Sequence, residues 1–439
     1  MRARDGIHFV RGPSPFGPGF FDLPEDTVTT DAGAASRVRG MQDLLPAEMD
    51  RVRSVEAAFA GACRAWGYRE VRTPVIEPLH LFTAAGTLSP KTLDSVYSFL
   101  DWDGWSGERV VLRPDSTIPV ARLYAEHYAP GDTARLFYRQ NVFRFTDDGS
   151  SREEWQCGVE LVGDTGPAGD VEIVLLAREI VTKLGLGTPA IRVSHAGMVR
   201  TVLAAASLDA VEQSAAYDRL LDGDITVVDE IESRLPSLNA PLRLLFDVEG
   251  AGGQYLANVR AALLSAIPAL ATPLDELGFV VEALEAAGVA PIVQAVLARS
   301  FEYYSGLVFK IHADGERIVS GGRYDGLLEL IGGTRVPASG FALYVTPTSR
   351  LLASAPANGV TRTVDVAPTA RTADTIAAAH TLAQELRAHG LSVRLTNADA
   401  STEPLVLCEP SRGMRLRLGG RERPVESTTE LLAALERAP

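Results

Sequence analysis

Between residues 152 and 163 the chain alternates. Trp155, Cys157, Val159 and Leu161 fall on one face of a strand, and Gln156, Gly158 and Glu160 fall on the other. An amide and a carboxylate either side of a glycine make a polar floor on a half-buried sheet. Gly158 has no side chain, so something can lie against the backbone there. On the preceding strand pattern, 135–145, Val142 and Arg144 share a face, and a hairpin through 146–150 is expected to bring Arg144 towards Gln156. A cation, an amide and a carboxylate on one concave sheet suit a zwitterion, with arginine on a carboxylate and glutamate on an ammonium. The same residues also fit a solvent-exposed face with a surface ion pair, which contributes little.

Such strands need supports, and the chain supplies them in order. Residues 1–37 are rich in Gly and Pro without helical or strand period and read as a mobile N-terminal tail. Pro46 opens a helix whose stripe is Val52, Val55, Phe59, Cys63 and Trp66, with Gly67 at its C-terminal end. Glu70–Ile76 reads as one short strand. Val96–Leu100 and Arg109–Leu112 form a hairpin, followed by a helix over 117–128 and another over Val171–Leu184. Residues of about 199–275 are Ala- and Leu-rich and read as a helical insertion. Strand pattern returns at Glu302–Ala313 and Arg317–Ser320, and a helix follows at Tyr324–Ile331. Residues 361–439 read as a small α/β unit with a strand at 363–367, a helix at 373–389, short strands near Leu391 and Leu405, and a helix near 429–436. Ser354–Gly359 is the linker.

Composition narrows the function classes. The chain has 439 residues, 46% hydrophobic and 22% charged, within the ordinary globular range. It carries 42 basic and 56 acidic residues, a formal charge of -14, which opposes a broad nucleic-acid surface. Lys91, Lys183 and Lys310 are the lysines, so candidates for Schiff-base chemistry are few. Cys63, Cys157 and Cys408 are far apart and odd in number, with no metal-binding spacing, and the histidines are scattered. No apolar run approaches a membrane span. The expectation is a cytoplasmic protein with no metal, no cofactor and no membrane association.

Several segments together resemble one family. Arg39-Gly40-Met41-Gln42-Asp43-Leu44-Leu45-Pro46 and Arg72-Thr73-Pro74-Val75-Ile76-Glu77 look like the opening and first motif of histidyl-tRNA synthetases. Leu112-Arg113-Pro114-Asp115-Ser116-Thr117 resembles their arginine-proline-acid loop, and Asn141-Val142-Phe143-Arg144 their second motif. Gln156-Cys157-Gly158-Val159-Glu160 resembles the histidine-pocket signature. Arg299-Ser300-Phe301-Glu302-Tyr303-Tyr304 and Gly321-Gly322-Arg323-Tyr324-Asp325-Gly326-Leu327 resemble the two histidine-specific segments. The resemblance spans roughly 37–350. It implies an α+β fold: a class II aminoacyl-tRNA synthetase-like antiparallel sheet flanked by helices over 38–350, with the helical insertion, and a shortened anticodon-binding-like domain over 361–439.

That family holds synthetases and, on the same core, the regulatory subunits of ATP phosphoribosyltransferase. Three departures favour the regulatory kind. Thr146 stands where the synthetases have an acid that contacts ATP. Pro347 stands where an arginine is expected after Gly340-Phe341-Ala342, and Arg350 lies three residues further on. Asn397–Ser401 replaces a helix of the anticodon-binding domain. The expectation is a non-catalytic subunit, required for the first step of histidine biosynthesis and for its feedback regulation. Its implied partners are a short-form catalytic ATP phosphoribosyltransferase in a hetero-oligomer, a second copy through the first-motif region, and L-histidine as effector. A divergent histidyl-tRNA synthetase is the alternative. The resemblance carries over Asp115, Thr117, Arg144, Gln156, Glu160, Arg299, Tyr304 and Tyr324 as histidine contacts, and no catalytic residue. Other readings stand beside these: Asp115 as a helix cap, Arg299 as a surface arginine ending a helix, Tyr303, Tyr304 and Tyr324 as core aromatics, and Gly321-Gly322 as a turn.

Overall fold

The structure is a computed structural model. It describes the chain apart from residues 1–36, 84–92, 103–106, 130, 147–149, 164–165, 237–241, 244, 247–248, 295–296, 298–302, 353–362, 371, 397–402, 410–412 and 437–439. The tail up to residue 36, the linker, the replaced helix at 397–401 and Arg299 therefore lie outside the described residues.

Helix α1 (Pro46–Ala65) forms where the apolar stripe predicts it. Val52, Val55, Phe59, Ala62 and Cys63 are buried, and the Leu45 N–H donates to Glu48 Oε2 at 2.8 Å. Gly67 leaves the helix at φ 82°, a left-handed turn that favours glycine. The single strand expected over 70–76 is instead two, β1 (Arg69–Glu70) and β2 (Ile76–Pro78), in different sheets. Pro74 has no N–H to give a ladder, and the carbonyls before β2 are taken by a side chain. Arg113 Nη1 donates to Thr73 O and Pro74 O, both at 2.9 Å. Its Nε and Nη2 donate to Asn141 O at 2.7 Å and Asn141 Oδ1 at 3.0 Å. Arg113 is 1% exposed, and burial lowers its pKa to about 10. Strands β3 (Ser98–Trp102) and β4 (Gly107–Leu112) complete a three-stranded sheet in the order β2-β4-β3.

Helix α2 (Thr117–His127) leads to β5 (Ala134–Phe143) and β6 (Glu153–Val162), which pair antiparallel as expected. Next come α3 (Pro167–Lys183), β7 (Ala190–His195) and the helices α4 (Ala196–Ala205), α5 (Ala210–Leu221) and α6 (Thr226–Arg234). Then follow β8 (Gly250–Ala251), α7 (Gly252–Leu263), α8 (Ala271–Ala286), β9 (Ile292–Val293), β10 (Leu307–Ala313), β11 (Glu316–Arg323), α9 (Leu327–Gly332), β12 (Ala338–Tyr344) and α10 (Val345–Leu351). The main sheet runs β1-β5-β6-β12-β11-β10-β7-β9-β8. It is mixed: β1–β5 and β7–β9 are parallel, and the other neighbouring pairs are antiparallel. Gly321 and Gly322 are not a turn but lie inside β11, opposite Phe341 and Gly340.

The sheet has two unlike faces. Phe137, Cys157, Val159, Leu161, Phe309, Val319, Phe341 and Leu343 fill one face. They join a core with α1, α3 and helices α4–α8, so the helical insertion shares the main core. The opposite face carries the polar residues described below. The C-terminal unit has its own sheet, ordered β14 (Ser392–Leu395), β13 (Thr363–Pro368), β15 (Leu405–Glu409), β16 (Gly413–Leu418), β17 (Arg421–Val425). Helices α11 (Ala373–Ala388) and α12 (Thr428–Glu436) pack on it through Ala379, Leu382, Leu386, Leu431 and Leu435. Among the described residues no helix is long and apolar enough to cross a membrane, and no group of three His, Cys, Asp or Glu could hold a metal ion.

Arg113 joins the start of β2 to the end of β5, and its removal leaves three backbone carbonyls and the Asn141 amide oxygen without their donor. Arg113→Ala is expected to cost about 3–5 kcal/mol, read as a fall in the urea midpoint at unchanged slope. A midpoint within error of the parent would show that the clamp carries no stability.

Candidate functional site

The polar face is built by register. β6 sets Gln156, Gly158 and Glu160 opposite Gln140, Tyr138 and Leu136 on β5, and opposite Tyr344, Ala342 and Gly340 on β12. Glu160 sits at its deep end, 1% exposed. The Tyr324 hydroxyl donates to Glu160 Oε2 from the end of β11, across β12. Gly340 lies between them. A Cβ there would stand 2.1 Å from Glu160 Oε2 and 2.3 Å from Val159 O, so only glycine lets the carboxylate lie flat on β12.

Burial pushes the Glu160 carboxyl up to about 8, and the neighbouring charge of Asp115 adds to this. Hydrogen bonds from Tyr324, Thr117 and Tyr138 oppose the rise. Asp115 is also buried, 3% exposed, and burial raises its pKa. The backbone N–H groups of Ile118, Thr117 and Ser116 and the charge of Arg144 pull the other way. Ile118 N donates to Asp115 Oδ1 at 2.9 Å, so Asp115 does cap the first turn of α2. The cap holds the acid beside Thr117, whose hydroxyl meets Glu160, Tyr138 and Tyr303.

Three tyrosines close the wall. Tyr303 meets Tyr304 and Tyr324 edge-on, with ring centroids 5.3 and 5.7 Å apart. The loop that carries Tyr303 and Tyr304 is pinned to the one that carries Tyr324. Ser305 N donates to Arg323 O at 2.8 Å, and Asp325 N donates to Ser305 Oγ at 3.0 Å. Arg323 points to the other side of the sheet. There its Nε and Nη2 each lie 3.0 Å from an Asp170 oxygen in the first turns of α3, and Nη2 also reaches Gly166 O at 2.9 Å. Burial pushes Asp170 up to about 6, and the guanidinium limits the rise. This buried pair fixes the strand end, and Tyr324, the next residue, falls on the polar face.

The structure thus brings Asp115, Thr117, Glu160, Tyr304 and Tyr324 together. Arg144 reaches the same trench from its far end, its Nε donating to Pro114 O at 2.8 Å, next to Asp115. The register corrects one expectation. Arg144 N donates to Arg152 O, whereas Gln156 pairs with Gln140, so Arg144 does not face Gln156. Gln156 is buried on the same face, two pleats from Glu160. Tyr138 was not anticipated. Its ring, not a ligand, lies against Gly158, where a Cβ would fall 2.1 Å from Tyr138 Cζ. The signal was available: Tyr138 has an even number on the strand opposite a glycine.

At the two positions where the sequence departs from the synthetases, neither offers a charge. The Thr146 carbonyl accepts from Arg152 Nε at 3.0 Å and Nη2 at 2.9 Å, and its hydroxyl donates to Ser150 O at 3.3 Å. Pro347 lies in the first turn of α10, and Arg350 at its other end is exposed.

A sheet of this order, carrying an acid and tyrosines on its open face and helices on the other, defines a class II synthetase-like protein. Comparison with known proteins agrees. The family model described as histidyl-tRNA synthetase matches residues 40–347. An ATP phosphoribosyltransferase regulatory subunit of Dehalococcoides mccartyi is 46% identical over 71% of this chain and 76% of its own length. A histidine–tRNA ligase of Methanosarcina acetivorans is 32% identical over 70% of this chain and 73% of its own. A crystal structure from Bacillus halodurans, titled as an ATP phosphoribosyltransferase regulatory subunit/histidyl-tRNA synthetase, superimposes with a TM-score of 0.70 at 25% identity. It covers 85% of this chain and 98% of that one. The chain belongs to the histidyl-tRNA synthetase family, in the group of ATP phosphoribosyltransferase regulatory subunits.

The Glu160 carboxyl holds its proton in the folded state well above the 4.5 of a free side chain. The native state therefore binds a proton that the unfolded chain releases across this interval, and stability falls as pH rises from about 5 to 8. Glu160→Gln keeps the shape without the titration. The parent is expected to lose about 4 kcal/mol relative to this variant over that range, by urea unfolding at each pH. Parallel pH profiles would contradict the buried, protonated carboxyl.

Proposed function

We propose that this chain is a non-catalytic regulatory subunit of ATP phosphoribosyltransferase that senses histidine. On this reading it acts in the cytoplasm, in a hetero-oligomer with a short-form catalytic subunit. The observation that carries the reading is the pair of buried acids, Glu160 and Asp115, each raised by burial, with the charge of Asp115 adding to the rise at Glu160. Two buried carboxyls call for a ligand with two N–H-bearing groups. Histidine has them in its imidazole and ammonium. In this arrangement Glu160, with Tyr324 and Tyr138 beside it, receives the imidazole. Asp115 and Thr117 receive the ammonium. Arg144, anchored on Pro114, receives the carboxylate, and Gln156 and Tyr304 line the floor and wall. Arg299 remains a proposed further contact.

A regulatory rather than enzymatic role is supported by what the trench lacks for ATP. Adenylate formation depends on neutralising a triphosphate. Thr146 offers a carbonyl and hydroxyl already engaged, and Pro347 offers no donor. Histidine regulates the assembly only in so far as it binds one state better than another. Self-association fits the first-motif segments, where Leu45 is 65% and Ile76 48% exposed.

Calorimetry on the full chain is expected to show saturable histidine binding, weakened at least about tenfold by Glu160→Ala, or about 1.4 kcal/mol. Purified chain is expected to give no histidine-dependent pyrophosphate exchange and to co-purify with a phosphoribosyltransferase. Unchanged affinity in the variant would refute the pocket, and robust exchange would restore the synthetase reading.

A further inference from the structure

The ion pair of Arg323 with Asp170 has a neighbour that the trench itself does not use. His195 ends β7 and directly precedes α4, where the helical insertion begins, and it is buried. Both of its ring nitrogens are engaged. Nδ1 accepts from the Gly197 N–H at 3.1 Å and so caps the first turn of α4. That bond leaves the proton on Nε2, which donates to Glu276 Oε2 at 2.9 Å on α8, the last of the insertion helices. Gly197 gives the ring its place: a Cβ there would stand 3.0 Å from both Cε1 and Nδ1. One imidazole thus ties the first and last helices of the insertion to the end of a sheet strand.

Arg323 reaches the same place from β11, two strands away, because β10 lies between β11 and β7. Gly306, the residue before β10, lets the arginine stem cross. A Cβ there would lie 2.9 Å from Arg323 Cδ. The Gly306 carbonyl accepts from Ala196 N at 2.9 Å, and the ladder sets Leu307 opposite His195. The hydrogen bond from His195 holds the Glu276 carboxyl below its usual range, and the charge of Arg323 adds to this against burial. Burial raises Asp170, while Arg323 and, more weakly, His195 pull it down. Asp170 Oδ1 is buried without a hydrogen bond among the described residues, so this oxygen depends on the charges around it.

We propose that His195 couples occupancy of the amino-acid trench to the helical insertion, as a positioning residue that acts on Tyr324 through Asp170 and Arg323. The coupling rests on the reading of histidine as the trench ligand. A ligand that draws on Glu160 also draws on the Tyr324 hydroxyl bonded to it. Tyr324 does not move alone. Ser305 holds the Arg323 carbonyl on one side of it and the Asp325 N–H on the other, and Asp325 also meets Arg323 Nη1 at 3.1 Å. A shift at Tyr324 therefore passes to Arg323 and Asp170, and a close-packed interior transmits it to the imidazole that orients α4 and α8. Such coupling is reciprocal: if a filled trench steadies these helices, loosening them weakens the trench by the same factor. A sensor needs an output of this kind, because its ligand acts only by favouring one state over another.

Calorimetry and amide hydrogen exchange on the full chain, with and without histidine, test the coupling. Histidine is expected to slow exchange in α4 and α8 of the parent. Glu276 is half-exposed and stands outside the trench. Glu276→Ala is nevertheless expected to weaken histidine binding at least about fivefold, the lower end of ordinary coupling, and to abolish the slowing in both helices. Glu276→Gln, whose amide oxygen still accepts from Nε2, is expected to restore both. His195→Asn keeps a capping side chain for α4 but loses the link to Glu276. It is expected to match Glu276→Ala, and it decides the matter if that variant melts early. A merely structural link would lower the melting temperature and leave the affinity and the exchange response of the folded chain as in the parent. That result in both variants would overturn the coupling and leave the histidine pocket standing. A parent chain that binds no histidine would overturn the pocket and the coupling together.

Discussion

A carboxyl in the middle of a sheet has to be held by something other than water. Here Glu160 is held by Tyr324, and the two residues are not on neighbouring strands: β12 runs between β6 and β11. The hydrogen bond therefore exists only if β12 offers no side chain at Gly340 and if β11 ends where Tyr324 turns onto the polar face. The second condition is met from the other side of the sheet, where Arg323 is fixed to Asp170 and to the N-terminus of α3. One buried ion pair in the hydrophobic half thus sets a tyrosine in the polar half. Such a pair is weak evidence for stability, because desolvation offsets much of its attraction. Its consequence here is positional.

Much of the scaffold follows from period and punctuation alone. The stripe from Val52 to Cys63 with Pro46 and Gly67 at its ends gave α1, and the alternation around Trp155–Leu161 gave the half-buried β6. The failures share a physical cause, which is that long-range partners overrule local pattern. Glu70–Ile76 looks like one strand until the Arg113 guanidinium, forty residues away in sequence, takes its carbonyls. Gly321-Gly322 looks like a turn until Phe309, Phe341 and Tyr304 are seen to need the space of the missing side chains. The hairpin of Arg421–Val425 with Gly413–Leu418 lacks a clean apolar alternation, because Arg415, Arg417, Arg421 and Arg423 share it with few buried residues, and it went unread.

The site was legible as a set of residue types and less so as a geometry. Each carried-over position other than Arg299, which lies outside the described residues, falls on the polar face or at its rim. The wrong pairing was that of Arg144, because the loop between β5 and β6 sets the register and its composition does not state it. Tyr138 was missed because one expects a glycine facing a pocket to admit a ligand, whereas here it admits the protein's own ring. Asp115 shows that two readings of one residue need not compete. Capping α2 with one oxygen is what orients the acid beside Thr117 and Arg144.

The two acids and the cations of β7, β10 and β11 lie on one continuous surface, and their chemistries are opposed. Around Glu160 and Asp115 the protein presents carboxyls that burial keeps from ionising easily, a setting that rewards a ligand bringing positive charge or donors. Around Arg192 and Arg317 it presents cations, Arg192 beside His312 and the Arg317 guanidinium over the Tyr344 ring. A sheet that activates an amino acid with ATP must bring both kinds of ligand to one point, with positive charge over the join. Thr146 and Pro347 are neutral, and Arg152 is turned inward onto the Thr146 carbonyl and the Phe145 ring, 4.1 Å from its centroid. The neutral side chains of Thr146 and Pro347 and the inward turn of Arg152 thus leave the positive charge of this end of the trench to Arg144, anchored on the Pro114 carbonyl.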